Sequence, residues 1–294
     1  MNRQILIDAI SASSKLPVLP HSATQLIALA DDPNLYAAQL EAVISGDPVL
    51  AARILHVSNS AMFARRNEVT NLGAAITLLG VRLTLDLATG IAIVDSLRDT
   101  EKYEFDYDTF WRKSVLSAIA ANEMYGDLNV ASRGDLFVAA LLQDIGMLVL
   151  LTTIGPKYGQ LVSSARSHFD LVELELRAFG IDHAEIGALL AKRWNLPVAL
   201  QEAIQASHAL FAEPPAHDLS DLQYGVAFAG VLAELWVIEE LDQGVSNRAI
   251  QEYLSKVGEE KYQNTIESIL HAIPGANKLF NMQLLSDEQM ASVA

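Results

Sequence analysis

Three residues combine a reactive side chain with a setting that singles them out: Asp144, His183 and His208. Asp144 interrupts the apolar stretch Leu141-Leu142-Gln143-Asp144-Ile145-Gly146. His183 follows Asp182 at the start of an amphipathic segment, and His208 closes the segment that begins after Pro197. A carboxylate and neutral imidazoles converging from separate helices are the donors a divalent metal centre needs, with a position left open for water. Each residue also has an ordinary reading. Asp144 suits the N-cap of a helix beginning at Ile145. His183 suits a surface or capping position in a first turn. His208 suits a helix C-terminus, where a cationic ring meets the negative end of the dipole. Three donors are a thin supply for a metal. The other histidines, His21, His56, His168, His217 and His271, lie in unrelated contexts with no i, i+4 pairing.

Other chemistries find less support. The chain has no cysteine, which excludes thiol catalysis, disulfides and zinc-thiolate sites. It has no G-x-S-x-G elbow, no phosphate-binding loop and no Gly-rich dinucleotide fingerprint. Glu239-Glu240 and Glu259-Glu260 are adjacent pairs whose side chains diverge on a helix, as on a solvated face. A formal net charge of -16 repels phosphate backbones and anionic headgroups, so neither nucleic acid nor a membrane surface is expected as a partner.

The elements that must position these residues read as helices. Leu40, Val43 and Ile44 share a face, as do Leu72, Ile76 and Leu79. Asp47 before Pro48, and Asp182 three residues before Glu185, mark helix starts. Pro48, Pro156 and Pro197 fit first turns, and Gly46, Gly80 and Gly180 fit helix ends. Asn59-Ser60 reads as a helix exit. No alternation of period two recurs, so an all-α fold of short helices is expected. With 294 residues, 51% of them hydrophobic, the chain can bury a large core. Breaks are expected near 99–108 and 212–219. Leu136–Ile154 approaches membrane-spanning length, but Gln143, Asp144 and Gly146 at its middle read as a break between two buried helices. No secretory signal is expected at the N-terminus, and a cytoplasmic setting follows from that expectation and from the missing cysteines.

Several motifs occur together in a fixed order: Leu16-Pro17-Val18-Leu19-Pro20, Asp47 to Leu50, Asn59-Ser60, Ala75 to Gly80, Leu141 to Gly146, and Trp194 to Pro197. In this the chain resembles the HDOD family, a branch of the HD-domain superfamily found in bacterial signalling proteins, from about Leu16 to His208. The resemblance implies an N-terminal helical bundle, residues 1–105, packed on a degenerate HD-like helical core with a C-terminal extension, residues 106–294. In catalytic HD relatives a histidine near a helix start, a His-Asp pair and a later aspartate hold the metals. Here these positions fall on Lys113, on Gln143-Asp144 and near Gly230, and the family's frequent His-His pair is Ser207-His208. The resemblance therefore implies a vestigial pocket of Lys113, Gln143, Asp144, His183 and His208 with no metal, no cofactor and no catalytic residue, in which Lys113 pairs with Asp144. The implied function is that of a pseudoenzyme: a non-catalytic regulatory module working through contacts with signalling proteins. The alternative is a residual metal-dependent phosphohydrolase in which Asp144, His183 and His208 retain one metal, or a nucleotide-binding protein whose vestigial pocket holds a nucleotide without turnover.

Overall fold

Proline, glycine and capping side chains cut the chain into short helices. The computed structural model describes residues 2–293 apart from 14, 15, 17, 31, 33, 60–67, 99–102, 212–217 and 239–242. The helices are α1 (Arg3–Ala12), α2 (His21–Ala30), α3 (Ala37–Ser45), α4 (Pro48–Ser58), α5 (Leu72–Leu79), α6 (Val81–Arg98), α7 (Tyr107–Met124), α8 (Arg133–Leu142), α9 (Ile145–Ile154), α10 (Pro156–Ser164), α11 (His168–Phe179), α12 (His183–Arg193), α13 (Val198–Gln205), α14 (Asp221–Val237), α15 (Gln243–Val257), α16 (Glu259–Phe280) and α17 (Asp287–Val293). No strand occurs among the described residues. The fold is all-α, as the periodicity predicts.

The helix signals act as their chemistry dictates. Asp47 accepts a hydrogen bond from the Leu50 N–H at 3.1 Å with Pro48 in the first turn, and Asp182 accepts from the Glu185 N–H at 2.9 Å. Gly180 ends α11 in the left-handed region at φ 71°, which glycine adopts without strain. Asn59 ends α4, and its side chain bridges to the backbone of Val69. Ser60, residues 99–102 of the first expected break and residues 212–217 of the second lie outside the described residues.

Helices α2 to α6 pack on one another, α6 rests on α8, and α7 lies against α8, α14 and α16. Helix α12 packs on α9 and α13. One apolar cluster runs through all of these, from Leu6 to Leu285. The apolar stretch Arg133–Ile154 has a mean hydropathy of 2.0 and is long enough to cross a membrane, yet 83% of its most apolar window is buried inside the protein. It forms α8 and α9, with Gln143 and Asp144 at the break between them. Burying side chains such as Leu148, Leu150 and Leu151 stabilises this layer by roughly 1.5–3 kcal/mol each.

A close approach of two backbones sets how α9 meets α12. A Cβ on Gly146 would lie 1.9 Å from the carbonyl oxygen of His183 and 2.7 Å from the N atom of Gly187. The first turn of α9 therefore lies directly on the first turn of α12, and Asp144 is carried up to His183.

Candidate metal centre

Four side chains meet where α9, α11, α12 and the turn after α13 come together. His168 is the first residue of α11, behind Ser167, which accepts from the Asp170 N–H. His183 is the first residue of α12, behind Asp182. His208 stands in the turn after α13, and Asp144 in the break before α9. All four are buried. Nε2 of His168 lies 3.2 Å from Nε2 of His183 and 3.1 Å from Nε2 of His208. Oδ1 of Asp144 lies 3.6 Å from the Nε2 atoms of both His168 and His183. Asp144 makes no side-chain cap to α9, so the capping account of this residue fails.

A second layer of groups turns the rings. The fully buried Glu175 accepts from Nδ1 of His183 at 2.7 Å, from the His183 backbone N–H at 2.9 Å, and from the Tyr158 hydroxyl at 2.5 Å. Asp182 accepts from Nδ1 of His208 at 3.1 Å while it caps α12. A carboxylate on Nδ1 leaves Nε2 as the donor atom facing inward, the usual arrangement behind metal-bound histidine. His168 differs. Its Nδ1 lies 3.2 Å from Nζ of Lys113. An ammonium only donates, so Nδ1 accepts and the ring's proton lies on Nε2, facing His208. Lys113 forms its close ion pair with Glu234, whose Oε1 also accepts from the His168 backbone N–H at 3.1 Å. The expected pairing of Lys113 with Asp144 is the looser contact, at 3.9 Å.

The electrostatics follow from these contacts. Burial opposes charge on Asp144, but the neighbouring imidazoles and Lys113 outweigh it and hold the carboxyl well below the usual carboxylate range. Burial likewise opposes charge on His183, yet Glu175 and Asp144 push its pKa up to about 10. Burial, then the Lys113 ammonium, drives His168 well below its ordinary value. Lys113 is held above its ordinary value because Glu234 and Asp144 overcome the cost of burial.

The donor set fits a metal ion. Bond lengths near 2.1 Å place neighbouring ligand atoms about 3.0–3.4 Å apart around one ion; Oδ1 of Asp144 and Nε2 of His183 lie 3.6 Å apart, and the donor atoms of Asp144, His168, His183 and His208 all lie within 4.8 Å of one another. Among the described residues, Asp144, His168, His183 and His208 form a group able to hold an ion. Four carboxylates, Asp144, Glu175, Asp182 and Glu234, surround three imidazoles with one lysine to offset them. Such a site favours a cation.

This overturns the expectation of a scaffold stripped of its metal ligands. His168, which forms no sequence-local pair, is a fourth member of the cluster, its ring set against the three donors that stand out in the sequence. Of the expected pocket, Lys113, Asp144, His183 and His208 meet at the site. Gln143 does not: its amide lies over Gly230, where a Cβ would come within 2.6 Å of Oε1. The acidic residue that α14 brings to the site is Glu234, one turn beyond Gly230. Glu175 and Asp182 are ring partners that the sequence does not reveal. A signal for His168 exists in the repeated pattern of a capping residue followed by histidine, Ser167-His168 and Asp182-His183.

A cleft of about 360 Å³ opens beside the cluster. Lys113, Asp144, His168 and Glu234 line its inner end, Phe105, Phe110, Met147 and Leu171 supply apolar wall, and Arg166 also lines it.

Fold and site together describe a helical HD-like domain with a histidine-rich centre. The chain belongs to the HDOD family, whose domain matches residues 16–210. A crystal structure of an HDOD domain protein from Geobacter sulfurreducens is similar with a TM-score of 0.75 at 23% identity, over 94% of this chain and 97% of that one. A candidate phosphohydrolase from Shewanella amazonensis SB2B is similar with a TM-score of 0.67 at 25% identity, over 98% of both chains. An uncharacterized protein of Treponema pallidum (strain Nichols) is 24% identical over 220 residues, 74% of this chain but 42% of that protein. This chain thus spans less than half the length of that relative.

Proposed function

We propose that this chain is a metal-dependent phosphohydrolase acting on a small phosphate ester, with a nucleotide as the ligand class its cleft suits best. The observation that carries this reading is the convergence of Oδ1 of Asp144 and Nε2 of His183 and of His208 around the His168 ring, with Nδ1 of His183 and of His208 each backed by a carboxylate. Asp144, His183 and His208 would hold the ion, with His168 beside them. A divalent ion in such a site polarises a phosphoryl oxygen and acidifies water. The chain's own residues do the rest. Lys113, ion-paired with Glu234, offsets part of the carboxylate charge where an anionic group would enter the site. Arg166, 89% exposed and ion-paired with Asp170, places a cation at the cleft of a protein that is otherwise acidic. Phe105 and Phe110 offer aromatic wall to a base or another organic group. The candidate phosphohydrolase among the similar structures supports the same reading.

On this reading the regulatory role expected from the sequence is exercised through the level of a phosphate ester in the cytoplasm, with signalling proteins responding to it. The test is metal analysis of the purified protein, followed by turnover assays with mono- and diester nitrophenyl phosphates and cyclic nucleotides, alone and with added manganese. Bound ion and turnover are expected, both lost in His183→Ala. A folded, metal-loaded protein that cleaves none of these esters would remove the reading.

A further inference from the structure

The surroundings of Lys113 carry an assignment that deepens the metal-centre reading and rests on it. Asp144 faces two ways. Its Oδ1 points to the imidazole cluster, 3.6 Å from two Nε2 atoms, while its Oδ2 lies 3.9 Å from Nζ of Lys113. On its other sides that Nζ contacts Glu234 in a close ion pair and Nδ1 of His168 at 3.2 Å. Two carboxylates and an imidazole nitrogen are the donors a second divalent ion would claim, and a carboxylate with one oxygen on each side is how paired ions share a ligand. The donors are present, and a covalently attached cation already fills their centre. The side chain is 13% exposed and closes one end of the cleft, so the charge is built in rather than drawn from solvent.

We propose that Lys113 stands in the place of a second metal ion, so that the protein binds one divalent ion per chain. The same contacts have two consequences. Because Lys113 donates to Nδ1 of His168, that ring turns an N–H toward the cluster, and the single ion is held by Asp144, His183 and His208. The positive charge opposite the ion is monovalent and cannot be removed by chelation.

The test is ion stoichiometry of the full chain, depleted by chelator and then titrated with manganese. It is read by elemental analysis and by electron paramagnetic resonance, neither of which depends on turnover. The wild type is expected to take up one ion per chain with the spectrum of an isolated manganese. Lys113→His, which puts a neutral donor where the ammonium was, is expected to take up a second ion and show a spin-coupled pair. Lys113→Ala, which opens the same space to water, is expected to do so at higher manganese, and it keeps the test usable should the histidine variant not fold. Two ions in the wild type, or one ion only in every folded Lys113 variant, would overturn the assignment while leaving the metal centre intact. An ion in the variants but none in the wild type would overturn it too, because Lys113 would then exclude metal altogether. No ion in any of the proteins would instead defeat the metal-centre reading itself.

Discussion

Oε2 of Glu175 lies 2.7 Å from Nδ1 of His183, and both side chains are fully buried. The same oxygen takes the His183 backbone N–H, and Oε1 takes the Tyr158 hydroxyl. Glu175→Gln separates the charge of this brace from its shape. The amide oxygen can keep both bonds to His183, and the amide nitrogen can donate to the Tyr158 oxygen, so the fold is expected to tolerate the change. The ring loses its anionic partner, and metal affinity is expected to fall by about 10- to 100-fold. Isothermal titration with manganese alongside a thermal melt checks this; a large fall in melting temperature with unchanged affinity would count against the role given to Glu175.

Gly146→Ala tests how the centre is assembled. The added methyl would meet the His183 carbonyl oxygen and the Gly187 N atom, both backbone and unable to swing aside. Separating α9 from α12 is expected to cost about 3 kcal/mol, at the upper end of overpacking effects, and to weaken metal binding because Asp144 moves away from His183. Chemical denaturation gives the first quantity and metal titration the second.

Asp86, on α6, gives a pH dependence away from the centre. Its Oδ2 is buried without a hydrogen-bond partner and sits where a Cβ on Gly134 would be. Burial raises its pKa from 3.8 to about 7, against the pull of Arg82 and with the push of Asp135. Because the folded-state pKa is the higher one, the fold favours the protonated acid. The associated stability is complete below about pH 3.8 and is lost as pH rises through about 7. Asp86→Asn, which removes the charge, is expected to stabilise the protein by on the order of 2–4 kcal/mol above about pH 8 and by almost nothing near pH 4. Equal melting-temperature gains at both pH values would contradict this.

The helices are legible in the sequence because their signals are local. Asp47, Pro48, Asp182 and Gly180 act within four residues of themselves, and a 3.6-residue period needs only one turn to show. Asp144, His183 and His208 stand out for related reasons, being polar residues at the edges of apolar or amphipathic segments. His168 does not, because its partners lie 15 and 40 residues away and only packing brings them together. Glu175 reads from sequence as an ordinary helical acid, and nothing local shows that its helix buries it. Placing the late acidic position at Gly230 goes astray by one turn: the glycine makes room for Gln143, and the next turn of α14 supplies Glu234. Matching positions one at a time makes the ligands look lost, whereas the fold recruits donors from whichever helix reaches the same point.

Glu234 lies beyond residue 210, where the match to the HDOD domain stops. A fragment trimmed to the recognised boundary would lose α14, which covers α7, and would leave Lys113 with only the more distant Asp144 as counter-charge and the His168 backbone without its anchor. The pocket thus draws on residues beyond the matched domain, and experiments on the minimal domain alone would report on a different, poorer pocket.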